Sequence, residues 1–365
     1  MRIILVLALT FFGPLAALAG GVQTTAGTVS ISRVMGGLDE PWGLAFLPDG
    51  GFLVTERGGN LIHVAAGGQV NIVSGAPKVV ASGQGGLLDV MVPRDFATSR
   101  EVFLSFSKKQ GRGAGTALSV GKLSEDSNRL TDLRVIFEMS PGSFGGKHFG
   151  SRIVEAMDGK IFLTIGERGE RPAAQDLSRH NGSVIRIGRD GTVPGDNPFA
   201  GQGGTQPEIW SYGHRNPQGA ALDLRGNLWV TEHGAKGGDE VNLVRRGANY
   251  GWPVIAYGRH YSGLKIGEGT VKEGMEQPEH FWDPSIAPSG LMIYSGKLWP
   301  QWRGHFFVGS LKFHYLSRLD PNSDWAEERI KSKETRRVRD VREAPDGSIW
   351  FLSVSEGAVF RMVPG

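Results

Sequence analysis

The chain contains no cysteine among its 365 residues. That absence removes disulfide frameworks, thiolate zinc sites and cysteine nucleophiles together, and with them the lipidated cysteine of a bacterial lipoprotein. Charge of one sign is also scarce. Lys and Arg number 40 against 37 Asp and Glu, and the net charge of +3 is too mild to point to nucleic acid. Beyond the first residues no apolar run approaches the roughly 20 residues of a membrane span. H-E-x-x-H, G-x-S-x-G and P-loop signatures are missing, as are long helical patterns. What is abundant is glycine, 55 residues or about 15 % of the chain, roughly twice the usual share and without the period of collagen. Nine Trp and 18 Phe exclude a disordered chain. The length admits two domains or one large all-β domain, and the glycine excess favours the second.

Residues 1–19 read as a cleaved signal peptide. Arg2 is followed by the apolar run Ile3 to Leu9, by Phe11-Phe12, and by the small-residue end Ala17-Leu18-Ala19. A charged start, an apolar middle and an A-x-A end are the three parts of a secretory signal. Gly13 and Pro14 interrupt the run, which argues against a membrane anchor. The expected location is therefore periplasmic or secreted, without stable membrane insertion.

Residues 20–365 read as one domain. A unit of apolar strand, D-G-like turn and second apolar strand recurs six times, at irregular spacings. Pro41 to Val54, turning at Asp49-Gly50, is the clearest copy. Others start at Gly86, Gly150, Gln218, Ser289 and Val338. Strand-only repeats of this size indicate radial β-repetition. The expected fold is an all-β, six-bladed β-propeller, closed by pairing of Val29 to Val34 into the last blade; a pair of β-sandwiches is the alternative. The Gly/Pro-rich stretches 188–207 and 256–288 are expected as long loops on one face.

Innermost strands of a propeller begin beside the channel, so polar residues just before them converge on one mouth. His148 stands before the third such strand, and Glu167 ends its partner strand. A carboxylate beside an imidazole suits a general base, although both side chains could also be solvated separately at loop ends. Arg215 and Asn216 precede the fourth inner strand. Lys312, Arg337 and Arg339 come from the fifth and sixth units, and the spacing of the two arginines places them on one strand face. If these cations reach the mouth they form a pocket for a small polyanion; otherwise they are a solvated face. The segment Thr231 to Glu240 offers oxygen ligands of the kind hard cations prefer, and equally reads as a tight turn.

Eight segments spread in order along the mature chain resemble the soluble quinoprotein aldose sugar dehydrogenases. Among them are Gly83-Gln84-Gly85-Gly86-Leu87-Leu88-Asp89, His148-Phe149-Gly150-Ser151-Arg152, Gly213-His214-Arg215-Asn216-Pro217-Gln218-Gly219, Gly237-Gly238-Asp239-Glu240-Val241-Asn242, Asn249-Tyr250-Gly251-Trp252-Pro253 and Arg337-Val338-Arg339-Asp340. The resemblance implies a six-bladed propeller holding pyrroloquinoline quinone (PQQ) and Ca²⁺. It makes His148 the general base, with Glu167 as its orienting partner. Gln84, Arg215, Asn216, Tyr261, Lys312, Arg337 and Arg339 match cofactor-contacting positions. The backbones of Gly234 and Ala235 match the loop of an active-site Ca²⁺, and Glu240 and Tyr250 match a further calcium site. Ala235 stands where relatives carry Pro, and Phe313-His314 where they are more polar. The implied reaction oxidises an aldose at its anomeric carbon to a lactone, with electrons passing to an external acceptor.

From the residues alone, a calcium-dependent lactone hydrolase and a non-catalytic binding propeller stay open. The exported protein is expected to begin near Gly20. N-terminal sequencing checks this, and intact Met1 on a cytoplasmic protein contradicts it.

Overall fold

A computed structural model describes residues 21–365, and the expected cleavage site lies outside them. Those residues form six antiparallel sheets, five of four strands and one of five. The innermost strands of blades 1 to 5 are Pro41–Phe46, Leu87–Met91, Ile153–Glu155, Pro217–Leu222 and Pro288–Ile293. Their outermost strands are Val70–Val73, Leu130–Glu138, Ile209–Tyr212, His280–Trp282 and Ala326–Ile330. Blade 6 runs Val338–Glu343, Ile349–Ser353, Ala358–Pro364, Gly27–Met35 and Val22–Thr24 from the channel outward. Each innermost strand contacts the next, and Val338–Glu343 contacts Pro41–Phe46, so the ring closes. The expected closing pair is present: Val29 faces Pro364 and Ser32 faces Arg361.

The strands are continuous apolar runs because neighbouring blades cover both faces of most sheets. Ile161–Ile165 is buried along its whole length. Each of the six seams between blades holds its own apolar cluster. Leu53 and Leu61 meet Leu87 and Val102 at one seam; Val54 and Ile62 meet Leu352 and Val359 at another. The turns follow their sequence signal. Gly50 adopts φ +87°, open to glycine without strain, and the Asp49 carboxylate accepts from Gly51 N at 2.8 Å.

Of the two long stretches, only one belongs to the mouth. Residues 188–207 leave the third strand of blade 3 at the opposite end, where Arg186 pairs with Asp158 at 2.5 Å and Asp196 at 2.8 Å. The reason is strand direction: third strands run away from the mouth. In the stretch 256–288 the chain also comes after a third strand, but passes the rim at Arg259 and Tyr261, then runs through His280–Trp282 back to the mouth at Asp283.

The channel is plugged by four charges, three of them buried and the fourth, Arg342, half-buried. Arg152 of blade 3 pairs with Asp89 of blade 2 at 2.7 Å and with Asp340 of blade 6 at 3.1 Å. Arg342 of blade 6 closes the square at 3.1 Å to Asp89 and 3.0 Å to Asp340. Blade 1 donates Leu44 N to Asp340 at 3.0 Å, and blade 4 accepts from Arg152 Nε at the Gln218 carbonyl, 3.1 Å away. Blade 5 passes so close that a Cβ on Gly290 would lie 2.3 Å from Asp340 Oδ1. Removing one member strands the others in a dry site, which typically costs about 3–5 kcal/mol. Asp89→Ala is expected to lower the thermal midpoint markedly, whereas Glu125→Ala, which removes an exposed pair, leaves it in place. Calorimetry of both variants checks this.

Candidate active site

A cavity of about 780 Å³ opens at the end of the channel where the innermost strands begin. Its walls include Gln84, His148, Arg215, Asn216, Gly234, Ala235, Tyr261, Lys312, Arg337 and Arg339. Residues far apart in the chain meet here because each precedes or follows a strand at the same end of its blade.

His148 is held from three sides. Its backbone N–H donates to Gln84 Oε1 at 2.7 Å, Nδ1 pairs with Glu167 Oε1, and its carbonyl closes on Gly166. A Cβ on Gly166 would stand 2.1 Å from that carbonyl oxygen, so the strand end carrying Glu167 tolerates no side chain there. Glu167 is anchored through its backbone, with N–H donating to the Arg215 carbonyl at 2.9 Å and its own carbonyl accepting from Asn181 Nδ2 at 3.1 Å. With Nδ1 engaged by a carboxylate, Nε2 is the ring nitrogen left for the cavity. Burial holds the imidazole below its ordinary range, and the Arg215 and Lys147 charges add to this; Glu167 opposes them. His148 is therefore neutral at pH 7 and able to accept a proton.

Arg215, Lys312, Arg337 and Arg339 converge from three blades, and none has a carboxylate within ion-pair distance among the described residues. Arg215 lies over the Trp252 ring at 5.2 Å and donates to the His233 carbonyl at 3.1 Å, while its Nε is buried without a partner. Arg339 donates to Gln218 Oε1 at 2.7 Å. Burial, then Arg337 and Arg152, pull its guanidinium down to about 9. Arg215 is buried, Arg339 half-buried, and Lys312 and Arg337 exposed. Cations without counter-charges are stabilised by a polyanion. Arg337 reaches the cavity by a route other than strand alternation. It lies just outside Val338–Glu343 with φ +48°, and a bulge separates Val338 from Asp340.

Gly234 and Ala235 line the same cavity, and no hydrogen-bond donor of the described residues reaches either carbonyl. No cluster of three His, Asp or Glu able to hold a metal exists among the described residues. Backbone oxygens are therefore the protein ligands open to a hard cation at this point. Glu240 and Tyr250 do not join the large cavity. They share a separate one of about 20 Å³ with Glu232 and Gly238. Burial and the neighbouring Glu232 carboxylate push Glu240 up to about 8. Asn242 Nδ2 bridges the two carboxylates at 3.0 and 3.1 Å. The Tyr250 hydroxyl is taken by Arg245 N and the Leu243 carbonyl, leaving its backbone oxygen as donor to a metal.

Arg57, His233, Lys236, Arg259 and Asp283 also line the mouth, unforeseen from sequence. Two of them had a signal. Glu56-Arg57-Gly58, Glu167-Arg168-Gly169 and Glu232-His233-Gly234 end the second strands of blades 1, 3 and 4. His233 Nε2 donates to the Pro288 carbonyl at 2.6 Å, and burial lowers this imidazole to about 3.

Fold and site together define a six-bladed propeller enzyme in which one deep cavity joins a buried imidazole–carboxylate pair to uncompensated cations. The glucose/sorbosone dehydrogenase family model matches residues 38–361, and the chain belongs to that family. It is 43% identical over 363 residues to the aldose sugar dehydrogenase YliI of Escherichia coli (strain K12), covering 97% of this chain and 98% of that one. It is similar to the crystal structure of the soluble aldose sugar dehydrogenase from Escherichia coli in the apo-form, with TM-score 0.89, 43% identity, and 93% and 100% of the two chains covered. The PQQ-bound form of aldose sugar dehydrogenase from Streptomyces coelicolor is similar at TM-score 0.76 and 27% identity, over 92% and 98% of the chains.

The geometry predicts the titration of His148. Its imidazole is expected to titrate below the ordinary value of about 6.5. Glu167→Gln removes the charge that steadies the imidazolium, so the titration moves lower still. NMR titration of the ring protons in both proteins checks the direction.

Proposed function

We propose that the chain is a PQQ- and Ca²⁺-dependent aldose sugar dehydrogenase, exported on a signal peptide of residues 1–19 and working in the periplasm or outside the cell as one domain, residues 20–365. The observation that carries this reading is the His148–Glu167 pair facing a cavity of unpaired cations from three blades. PQQ is a flat tricarboxylate, and Arg215, Lys312, Arg337 and Arg339 suit its carboxylates. Gln84, Asn216 and Tyr261 complete the polar contacts. The Gly234 and Ala235 carbonyls would hold an active-site Ca²⁺, and Glu240 with the Tyr250 backbone would hold a further one. PQQ, when bound, supplies the hydride acceptor, and Ca²⁺ supplies the Lewis acid that polarises it.

The chain's own contribution is proton management and placement. His148 Nε2 takes the proton of the anomeric hydroxyl, while Glu167 keeps Nδ1–H in place and stabilises the imidazolium that forms. Gln84 fixes the backbone of His148, so the ring cannot swing from the cavity. The oxidised anomeric carbon leaves as a lactone carbonyl, and an external acceptor takes the electrons.

His148→Ala is expected to bind PQQ but to lose about 10²–10⁴-fold in turnover. Arg339→Ala is expected to weaken PQQ binding by about 1.5–3 kcal/mol while leaving the fold intact. Titration of PQQ into each variant, with stopped-flow reduction by an aldose, separates binding from proton transfer; an unchanged reduction rate in His148→Ala removes it as the base. Exhaustive chelation is expected to abolish dye reduction and added Ca²⁺ to restore it, and full activity in metal-free protein removes the cation from the mechanism.

A further inference from the structure

The rim of the cavity is more cationic than a tricarboxylate requires. Lys236 and Arg259 line the mouth in addition to Lys312 and Arg337, Lys331 lines the groove beside it, and Lys147 precedes His148 in the chain; Asp283 is an acidic side chain among them. Among the described residues none of the six lies within ion-pair distance of a carboxylate. The neighbouring cations behave otherwise: Arg57 is paired with Glu40, Lys108 with Glu138, and Arg336 with Glu356. The chain as a whole is nearly balanced, at +3, so this concentration is local.

Exposed apolar side chains share the same rim. Phe144 is 81% exposed, on the loop whose Gly146 carbonyl accepts from Gln84 N. Tyr261 and Leu264 are 73% and 69% exposed on the segment that climbs over the mouth. Phe313 carries Lys312 over its ring at 4.8 Å. Beside it a groove of about 360 Å³, walled by Phe313, Tyr315, Arg329 and Lys331, runs to the mouth at Asp283 and Pro284. Apolar contacts ringed by charges in which cations predominate, around a redox opening, suit a brief encounter with a partner of opposite charge.

We infer that this face docks an acidic one-electron carrier protein, which draws electrons from the site through the mouth. The inference rests on the dehydrogenase reading above. Per sugar oxidised, two ferric carriers become ferrous and two protons pass to water, so two dockings follow each turnover. The cations steer the approach, and Phe144, Leu264 and Phe313 supply the desolvated contact.

The test uses protein loaded with PQQ and Ca²⁺, reduced by an aldose and mixed with a small acidic c-type cytochrome, a basic one of similar potential, or an uncharged dye. The acidic carrier is expected to react faster than the basic one by about tenfold or more at low salt, and to lose that lead as salt is added. Lys331→Glu, outside the active-site cavity, is expected to slow the acidic carrier several-fold and to leave the dye unchanged. Equal rates for both cytochromes, or an equal loss with the dye, overturns the inference. Calorimetric binding of the acidic cytochrome to PQQ-free protein isolates docking from catalysis: salt-sensitive binding weakened in Lys331→Glu supports it even where sugar oxidation fails, and no binding overturns it.

Discussion

The square of Asp89, Arg152, Asp340 and Arg342 is the constraint on which the other features depend. A propeller of short, doubly covered sheets has strong seams and a weak axis, because nothing apolar reaches across the channel. Here two carboxylates and two guanidinium groups fill it, and backbone groups from blades 1 and 4 add hydrogen bonds to them. Such a cluster is a poor source of stability relative to an apolar plug of the same volume. What it provides is registry: each inner strand is held at a fixed height relative to its neighbours. The loops that start those strands then deliver side chains to common coordinates.

The cavity inherits its electrostatics from that plug. Arg152 lies over Trp42 at 4.5 Å, and Arg339 over the same ring at 5.7 Å from the cavity side. The plug is internally neutral, so its carboxylates are spent on its own arginines and leave Arg339, Arg215 and Lys312 uncompensated. A site that must hold a polyanion firmly while keeping an imidazole neutral benefits from this division. Burial depresses the His148 imidazole most, Arg215 and Lys147 add to this, and Glu167 opposes them at contact distance. Burial, nearby cations and one buried carboxylate thus act together on a single ring.

Much of this was legible in the sequence because propellers write their function at strand ends. The six blade copies, the closing strand and the meeting of His148 with Glu167 all follow from strand direction, which D-G turns make countable. Convergence of Arg215, Lys312, Arg337 and Arg339 follows from the same geometry. What could not be read was anything dependent on local backbone departures. Arg337 enters by a left-handed residue before a bulge, whereas period-two spacing placed it on the strand. The direction taken by 188–207 depends on which strand a loop follows, and glycine content does not encode that. Lys236, Arg259 and Asp283 belong to loops whose path is set by tertiary contacts, such as Lys236 N to the Arg259 carbonyl at 3.0 Å. The ligands offered by Gly234 and Ala235 are backbone atoms, invisible to any search by side-chain type.

The closing blade carries a consequence for the life of the chain before it folds. Val29 pairs with Pro364, and Ile31 with Met362. The seam between blades 5 and 6 adds Thr25, whose backbone N–H donates to Glu328 at 2.6 Å. A strand near one end of the domain thus waits for a strand near the other, and loop closure over so many residues is slow to find. Blades 1 to 5 can each form hairpins beforehand, but the ring stays open, and the plug unassembled, until these two strands meet. The cavity therefore has no partial version: before closure the side chains that line it share no common address.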